Sequence, residues 1–348
     1  MSQTTSKVRL GVIGAGWFAS RRHIPDCLKT PTLTLAAISR RDAEARQKLA
    51  DHFGLTPEQT FADWREMLES VELDAVLIAT PHALHYEQAR AALAKGLHVL
   101  VEKPMALTTR EAWDLVDFAA NRERLISTAV NPPFWAHCHA IRDAFRDGSL
   151  GDLETATMYW TGSASALFGR SPLPDSMSGV VRPSLYRADV ELNGGGYFID
   201  GGSHLLSQLL WVTDLKVRRA SAIMDTLPAD SRTVVCFEME NGAVVSLTSI
   251  GDSESSERRV NHIFGATKGV ATVRDFDFKT TIQVEGREAQ SFTEADLPPV
   301  STPVANFADA ILGRDSLYSA PAHGAYVAQV MEAIYESART GKTATLSE

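Results

Sequence analysis

The sequence predicts two domains, an amino-terminal α/β domain on a doubly wound parallel sheet and a carboxyl-terminal α+β domain with an open-faced, mostly antiparallel sheet. The chain has 348 residues, more than one typical domain of roughly 100–200 residues. From residue 8 to residue 130, short β-branched runs alternate with segments of helical period, which is typical of parallel strands joined by helices. Beyond residue 130, strand-like runs follow one another with few helices between them. We therefore predict domains at residues 1–131 and 132–348.

Five strands are predicted in the first domain from runs of β-branched and apolar residues. Their positions are residues 8–13, 33–39, 75–80, 98–102 and 125–130. An alanine-rich helix is predicted before Gly96, because glycine readily adopts the left-handed backbone of a helix C-cap. Thr108 or Thr109 is predicted to cap a further helix that runs to Ala120.

The second domain is predicted to open with one helix, at residues 135–146, and to continue with strands rich in Val, Thr, Ile and Phe. These strands are predicted at residues 153–161, 217–224, 233–238, 243–250 and 258–264. Asn241-Gly242 and Lys268-Gly269 are turn signals that favour antiparallel pairing. Such a sheet exposes one face, so we expect a homodimer or a homotetramer.

Charge and hydropathy exclude several classes of partner. Lys and Arg number 34 against 43 Asp and Glu, a net charge of -9 that disfavours binding to nucleic acid. Apolar runs fall far short of the ~20 residues that cross a bilayer, so no membrane partner is expected. Residues 1–7 are polar and lead directly into the first predicted strand, without the apolar stretch of an export signal. We expect a cytoplasmic protein.

The cysteines indicate neither a disulfide framework nor a metal site. Cys27, Cys138 and Cys236 lie far apart in the sequence, which favours a reducing compartment. His137 and His139 flank Cys138, but residues two apart on a helix do not face each other. We predict that the chain binds no metal.

A glycine motif follows the first predicted strand. Gly14, Gly16 and Ala19 match the G-x-G-x-x-G/A fingerprint of dinucleotide-binding Rossmann folds. Gly14 permits the tight turn, Gly16 lets the backbone approach a pyrophosphate, and Ala19 keeps the next helix close to the sheet. Trp17 and Phe18, which lie within this motif, are further candidate cofactor-binding residues. The alternative is a plain structural turn, and the strand before the motif with a helix after it favours cofactor binding.

The end of the second predicted strand bears on the identity of the cofactor. An acidic residue at this position binds the ribose of NAD, whereas here Ser39 is followed by Arg40 and Arg41. A hydroxyl and two guanidinium groups suit the 2′-phosphate of NADP, which we therefore favour. The alternative is that the arginines begin a solvated helix and that Asp42 binds the ribose of NAD.

Two further motifs carry candidate chemistry. Glu102-Lys103-Pro104 ends the fourth predicted strand, at the sheet edge where open α/β folds bind ligands, although a solvated Lys and a turn proline are the alternative. Three consecutive glycines precede Asp200 and His204, which share one helix face at a spacing of four residues. An acid beside an imidazole suits proton transfer, whereas taken alone such a pair is more often a cap or a surface hydrogen bond.

Together these motifs resemble the glucose-fructose oxidoreductase and inositol 2-dehydrogenase superfamily of NAD(P)-dependent enzymes, in its order and over nearly the whole chain. The resemblance implies that Lys103 contacts the nicotinamide ribose and the substrate, while Asp200 and His204 hold and deprotonate the reacting hydroxyl. It implies a sugar, an inositol or a related cyclic polyol as substrate. The loop at residues 162–183 offers only Arg170 and Arg182 as anchors for a charged group, which favours an uncharged substrate.

The resemblance also implies weaker site positions. Along the cofactor these are Thr80, Pro81, His82, His85, Glu102 and Asn131, of which the histidines could be caps and Asn131 a turn residue. Arg187, beside Tyr186, is the further candidate on the substrate side. Two other functions stay open: a redox-neutral sugar or glycoside enzyme that retains its cofactor, and a non-catalytic NADP-sensing regulator. The presence of Lys103, Asp200 and His204 disfavours the regulator.

Overall fold

The computed structural model describes residues 7–175, 177–255, 259–275 and 277–346, which form two compact units. The first unit contains the described residues up to Ala129, together with Ala166–Leu192 and Ser301–Ala325. The second contains Val130–Ser165, Asn193–Val300 and the described residues from Tyr326 onward. The predicted boundary at residues 131/132 lies close to the first point at which the chain passes from one unit to the other. The sequence did not indicate the later points at which the chain passes between the units. A contiguous division at that boundary stays a prediction.

The first unit contains a parallel sheet of six strands. These strands are β1 (Val8–Ile13), β2 (Leu33–Ser39), β3 (Thr60–Phe61), β4 (Ala75–Ile78), β5 (His98–Glu102) and β6 (Ile126–Ala129). Their order is β3-β2-β1-β4-β5-β6, and every pairing is parallel. The strand order reverses between β1 and β4, where doubly wound folds bind their ligands. The predicted doubly wound sheet is confirmed, with the two-residue β3 as an addition.

Ten α-helices occur among the described residues. They are α1 (Ile24–Lys29), α2 (Ala43–Phe53), α3 (Trp64–Ser70), α4 (His85–Ala94), α5 (Thr109–Ala120), α6 (Ala136–Arg146), α7 (Val190–Asn193), α8 (Ser203–Thr213), α9 (Pro303–Ile311) and α10 (Pro321–Thr340). Two π-helical turns, Ala19–His23 and Phe198–Gly202, immediately precede α1 and α8. Short 3-10 turns lie at Pro57–Gln59, His82–Leu84, Pro132–Phe134, Leu185–Ala188 and Glu294–Asp296.

Local signals account for several helix ends. The side chain of Thr108 accepts a hydrogen bond from the Glu111 N–H, which confirms a predicted cap for α5. Gly96 has a φ of 78° just beyond α4, as predicted for a C-cap glycine. Asp42 caps α2, since its carboxylate accepts from the Ala45 N–H at 2.7 Å. The helices pack on the sheet around a core that also includes Phe307 of α9.

The second unit contains a nine-stranded sheet. Its strands are β7 (Leu153–Thr161), β8 (Val217–Met224), β9 (Arg232–Met239), β10 (Val244–Ile250), β11 (Arg259–Ala266), β12 (Gly269–Arg274), β13 (Lys279–Val284), β14 (Gln290–Phe292) and β15 (Ala344–Thr345). They are ordered β14-β13-β12-β11-β7-β10-β9-β8-β15. Among the described strands of this second sheet, only β7 and β10 pair in parallel, so the predicted, mostly antiparallel sheet is confirmed. Arg258, predicted to begin a strand, lies outside the described residues.

One face of this sheet is buried and the other is exposed. Side chains of α6, α8 and α10 pack with the inward-facing residues of the strands into one core. Alternate residues of β9 are buried and exposed, as expected for a half-covered strand. The exposed positions include large apolar side chains, among them Ile223, Val234, Val244 and Ile263. Within the described residues no helix is both long and apolar enough to cross a membrane.

Candidate functional site

The first unit encloses a cavity of about 770 Å³, within the ~300–1,000 Å³ typical of ligand sites. It adjoins the carboxyl ends of β1, β2, β4 and β5, at the reversal of strand order. Most of the predicted cofactor and substrate residues of this unit line it, namely Gly14, Gly16, Trp17, Phe18, Ser39, Arg40, Arg41, Thr80, Pro81, His82, Glu102, Lys103 and Arg187. The structure thus brings together segments that are distant in sequence.

The glycine loop has the geometry that a dinucleotide requires. Gly14 adopts a φ of 81°, and a Cβ there would lie 2.4 Å from Cγ2 of Thr80, so neighbouring protein atoms already exclude a side chain. At Gly16 a Cβ would meet no protein atom nearer than 3.7 Å. Protein atoms therefore leave space for a side chain at Gly16, and Gly16 lines the cavity. A pyrophosphate that approaches the backbone would account for the second glycine.

Two arginines follow β2 at the rim of the cavity. Ser39 is buried, and its carbonyl accepts from the N–H groups of Gly14 and Ala15 at 3.1 and 3.0 Å, which joins this strand end to the glycine loop. The Arg40 guanidinium donates to the Ala15 carbonyl at 3.3 Å. Burial lowers the pKa of Arg40. Asp42, the alternative ribose ligand, uses one carboxylate oxygen as the cap of α2.

His85 lies away from the cavity wall. Its side chain is completely buried and does not line the cavity, because Nδ1 lies 2.8 Å from the Pro104 carbonyl and Nε2 lies 3.0 Å from the Thr80 carbonyl. Burial lowers the pKa of this imidazole. These contacts place His85 between the end of β4 and the segment after β5. Its predicted contact with a cofactor stays a prediction.

Glu102 and Lys103 of the Glu102-Lys103-Pro104 motif line the cavity. Lys103 is only 8% exposed, and its peptide bond to Pro104 is cis. One oxygen of Glu102 lies 2.5 Å from Nε2 of His23, and the other accepts from the Lys103 N–H at 3.3 Å. His23 was missed by the sequence analysis, because no local pattern distinguishes it from other polar residues of a helix. It connects the helix after the glycine loop to the base of Lys103.

Asp200 and His204 lie in the second unit, on one helical segment. Asp200 belongs to the π-helical turn and His204 to the first turn of α8. Single π-helical turns occur frequently at functional sites. Asp200 is buried, and its carbonyl accepts from the Ser203 hydroxyl at 2.8 Å. The indole ring of Trp135 stacks beside the His204 imidazole, with 6.5 Å between ring centroids.

A buried carboxylate holds the turn that leads to Asp200. Asp230 accepts from the N–H groups of Gly196 and Phe198 at 3.1 and 2.8 Å, and from the Tyr335 hydroxyl at 2.6 Å. The Tyr335 oxygen also accepts from the Ile199 N–H at 3.1 Å. At Gly196, a Cβ would lie 2.2 Å from the backbone N of Asp230, which explains the glycine at this position. The sequence did not indicate Asp230 or Tyr335, since both are remote in sequence from the segment they hold.

The remaining predicted positions are placed as follows. Asn131 precedes the 3-10 turn Pro132–Phe134 in the second unit and does not line the cavity of the first. His137 is bonded through Nδ1 to Glu294, whereas His139 Nε2 lies 2.8 Å from the Pro133 carbonyl, so different partners engage the two imidazoles. Among the described residues, no group of three or more His, Cys, Asp or Glu is arranged to hold a metal ion.

Comparison with known families agrees with this geometry. Residues 8–130 match an oxidoreductase family with an NAD-binding Rossmann fold. Residues 138–271 match the GFO/IDH/MocA C-terminal domain. The chain belongs to the GFO/IDH/MocA oxidoreductase family. The family resemblance inferred from the sequence motifs is thereby confirmed.

Relatives within the GFO/IDH/MocA family include sugar enzymes. The chain is 31% identical over 218 residues to the dTDP-3,4-didehydro-2,6-dideoxy-alpha-D-glucose 3-reductase of Streptomyces antibioticus, a match that covers 63% of this chain and 60% of that relative. It is 25% identical to the D-glucoside 3-dehydrogenase of Escherichia coli (strain K12), with 98% of each chain covered. The fold matches an inositol dehydrogenase homolog complexed with NAD+ from Azotobacter vinelandii, with a TM-score of 0.85, 19% identity and coverage of 99% of this chain and 98% of that one.

Proposed function

We propose that this protein is an NADP-dependent oxidoreductase that transfers a hydride between the nicotinamide and a hydroxyl or carbonyl carbon of a sugar, an inositol or a related cyclic polyol. The observation that carries the proposal is the shared cavity of Gly16, Arg40 and Lys103. It combines a backbone suited to a pyrophosphate, a cationic strand end suited to a 2′-phosphate, and a lysine that is 8% exposed. The named activities of the relatives support an oxidoreductase acting on sugars.

In this proposal each motif has a separate task. The nicotinamide supplies the hydride chemistry when it is bound. The ammonium of Lys103 stabilises negative charge that develops on the reacting oxygen. The imidazole of His204 removes the hydroxyl proton in oxidation and returns it in reduction. The Asp200 carboxylate orients that hydroxyl or the imidazole, and the Arg187 guanidinium binds a further substrate hydroxyl.

The preference for NADP rests on the groups at the end of β2. Arg40 and Arg41 form no ion pair with any described carboxylate, whereas Asp42 already serves as a helix cap. A 2′-phosphate would supply their counter-charge, with two guanidinium groups able to bind it through charge-assisted hydrogen bonds. Arg40→Ala and Arg41→Ala are therefore expected to weaken NADPH binding and leave NADH binding nearly unchanged.

The experiment follows nicotinamide absorbance during turnover, in both directions, with NADP or NAD and a panel of sugars, inositols and sugar lactones. D-glucosides head the panel because of the Escherichia coli relative. Turnover with NADP would support the proposal, and faster turnover with NAD would overturn the NADP preference. Intact NADPH binding without turnover on the panel would instead favour the non-catalytic regulator. Cofactor that copurifies with the protein and is re-reduced in each cycle would favour the redox-neutral enzyme.

We further propose that the protein is a homo-oligomer that associates through the exposed face of the nine-stranded sheet. Ile223 of β8 is 77% exposed and pairs in register with the exposed Val234 of β9. Val244 and Ile263 add further apolar side chains to the same sheet's exposed positions. Association of two copies would bury these side chains, which together form the kind of exposed apolar surface that marks an interaction site.

A further inference from the structure

A segment distant from the glycine motif in sequence forms part of the cavity wall. Residues 179–187, named here the strap, begin within the last part of the loop predicted at residues 162–183. The strap packs within the first unit, and Arg182, Pro183, Ser184, Tyr186 and Arg187 line the cavity. The strap therefore contributes to the wall of the same cavity as the glycine loop.

Three contacts fix the strap to this unit. At Gly179, with a φ of 70°, a Cβ would lie 2.0 Å from Nε2 of His52 on α2, so the backbone packs directly on that ring. The Val181 N–H donates to the Ser20 hydroxyl at 3.0 Å. The Tyr186 hydroxyl lies 3.3 Å from Nε2 of His82, and the two rings meet edge to face. These contacts hold both ends of the strap and leave Arg182 between them.

The hydrogen bond between Val181 and Ser20 places Arg182 near the glycine loop. Ser20, which accepts from the residue before Arg182, donates its own N–H to the Gly16 carbonyl at 2.9 Å. Gly16 is the position at which the backbone of this fold approaches a pyrophosphate. Toward the described residues, the guanidinium of Arg182 uses one of the five N–H groups that arginine carries. This group donates to the Leu173 carbonyl at 3.1 Å.

The carboxylates of the cavity wall do not neutralise its arginine side chains. Asp63 and Glu87 both pair with Arg65, Asp42 caps α2, and Glu102 is bonded to His23. Within the described ranges of the chain, Arg182 forms no ion pair with a carboxylate, as is also true of Arg40 and Arg41. A dinucleotide carries its pyrophosphate and, in NADP, a further phosphate, which would neutralise this wall.

We propose that Arg182 is a further dinucleotide-binding residue, which the strap holds against the pyrophosphate common to NAD and NADP. This inference rests on the proposed dinucleotide function and adds a residue that the fingerprint does not contain. It reassigns Arg182 from a possible substrate anchor to the cofactor. By adding a charge-assisted contact from outside the glycine loop, the strap slows release of the dinucleotide.

The test measures the binding of NADPH and of NADH to the full chain by fluorescence titration, and their release by stopped flow. Arg182→Ala is expected to raise the Kd of both dinucleotides by roughly tenfold or more, by the same factor, with most of the change in the release rate. Arg170→Ala is the matched control, since this arginine precedes the strap and does not line the cavity. It is expected to change neither Kd by more than about twofold.

A second variant addresses the strap itself. Ser20→Ala removes the oxygen that accepts from Val181 and retains Arg182, so an intermediate weakening of both dinucleotides is expected. Equal Kd values for Arg182→Ala and Arg170→Ala would overturn the inference. So would a loss confined to NADPH, which would place Arg182 on the 2′-phosphate, or a change in substrate KM alone. Failure of the unmodified protein to bind either dinucleotide would instead overturn the proposed function.

Discussion

Nε2 of His23 lies 2.5 Å from a carboxylate oxygen of Glu102, and both side chains are buried. The other oxygen of Glu102 accepts from the backbone N–H of Lys103. This hydrogen-bonded path connects the helical turn after the glycine loop to the backbone of Lys103. The helix that would bind the cofactor and the proposed catalytic lysine are therefore held in register by one imidazole.

Replacing His23 tests that connection. His23→Phe leaves the buried Glu102 carboxylate without its imidazole partner, and a lost hydrogen bond to a charged group costs about 1.5–3 kcal/mol. We expect turnover to fall by about tenfold and thermal stability to fall as well. His98→Phe, at the opposite end of β5, removes a hydrogen bond to the Leu125 N–H and serves as control. It should lower stability without changing turnover, and equal turnover losses in the two variants would contradict the positioning role.

Lys103→Met tests the catalytic role of the lysine. The substitution keeps a side chain of similar length and removes the ammonium that we propose stabilises developing charge. Turnover is expected to fall by about two to three orders of magnitude, while the Kd of NADPH stays within about threefold. Kinetics and dinucleotide titration on the same preparations measure both. Lys95→Met, which removes a surface ion pair with Glu69, is the matched control. A parallel loss of turnover and of NADPH binding would show that Lys103 serves binding instead.

Tyr335→Phe tests how the Asp200 segment is held. The variant loses the hydroxyl that donates to Asp230 and accepts from the Ile199 N–H. Burial disfavours the charged form of Asp230 and raises its pKa. Removal of a hydrogen-bond donor destabilises the charged carboxylate further. A fall of about 1–3 kcal/mol in the free energy of unfolding is expected, together with lower turnover. Tyr326→Phe, on the same helix, removes a hydroxyl that accepts from the Val217 N–H and is expected to leave turnover unchanged.

His262 makes stability depend on pH. Its ring is completely buried, neither nitrogen has a hydrogen-bond partner among the described residues, and burial lowers its pKa to about 3. In the unfolded chain the pKa is about 6.5, so between these values the unfolded state binds more protons and stability falls as the pH falls. From pH 7 to pH 5 this residue is expected to cost about 2 kcal/mol. Urea unfolding at both pH values measures the loss of stability. This loss should be smaller by that amount in His262→Leu than in the unmodified protein, and an identical loss would refute the assignment.

The proposed interface on the exposed face of the nine-stranded sheet can be tested by adding charges to it. Val234→Lys combined with Ile223→Lys places two charges on neighbouring strands of the proposed interface. Light scattering is expected to show a multimer for the unmodified chain and a folded monomer for this variant. Leu28→Lys, on α1 of the first unit and 52% exposed in the unmodified chain, is the matched control. An unchanged mass for the double variant would exclude this face as the interface.

Much of the architecture followed from local patterns in the sequence. The buried parallel strand β4 is a continuous apolar run, and the half-covered β9 alternates buried and exposed residues. The glycine loop and Glu102-Lys103-Pro104 were predictable because their chemistry depends on residues adjacent in sequence. For the same reason, the location of Asp200 and His204 on one helical segment could be anticipated.

Other features were decided only by the tertiary structure. The sequence motifs predicted that His85 lies along the cofactor. In the structure its ring is buried, and each ring nitrogen lies close to a backbone carbonyl. Tyr335 and Asp230 meet although 105 residues separate them, and Arg182 reaches the cavity of the glycine loop from a segment that local patterns identify only as a loop. Sequence periodicity reports which face of an element is buried, because burial follows the helix or strand repeat. It does not report which distant side chain fills a given space, since that depends on the packing of the whole unit.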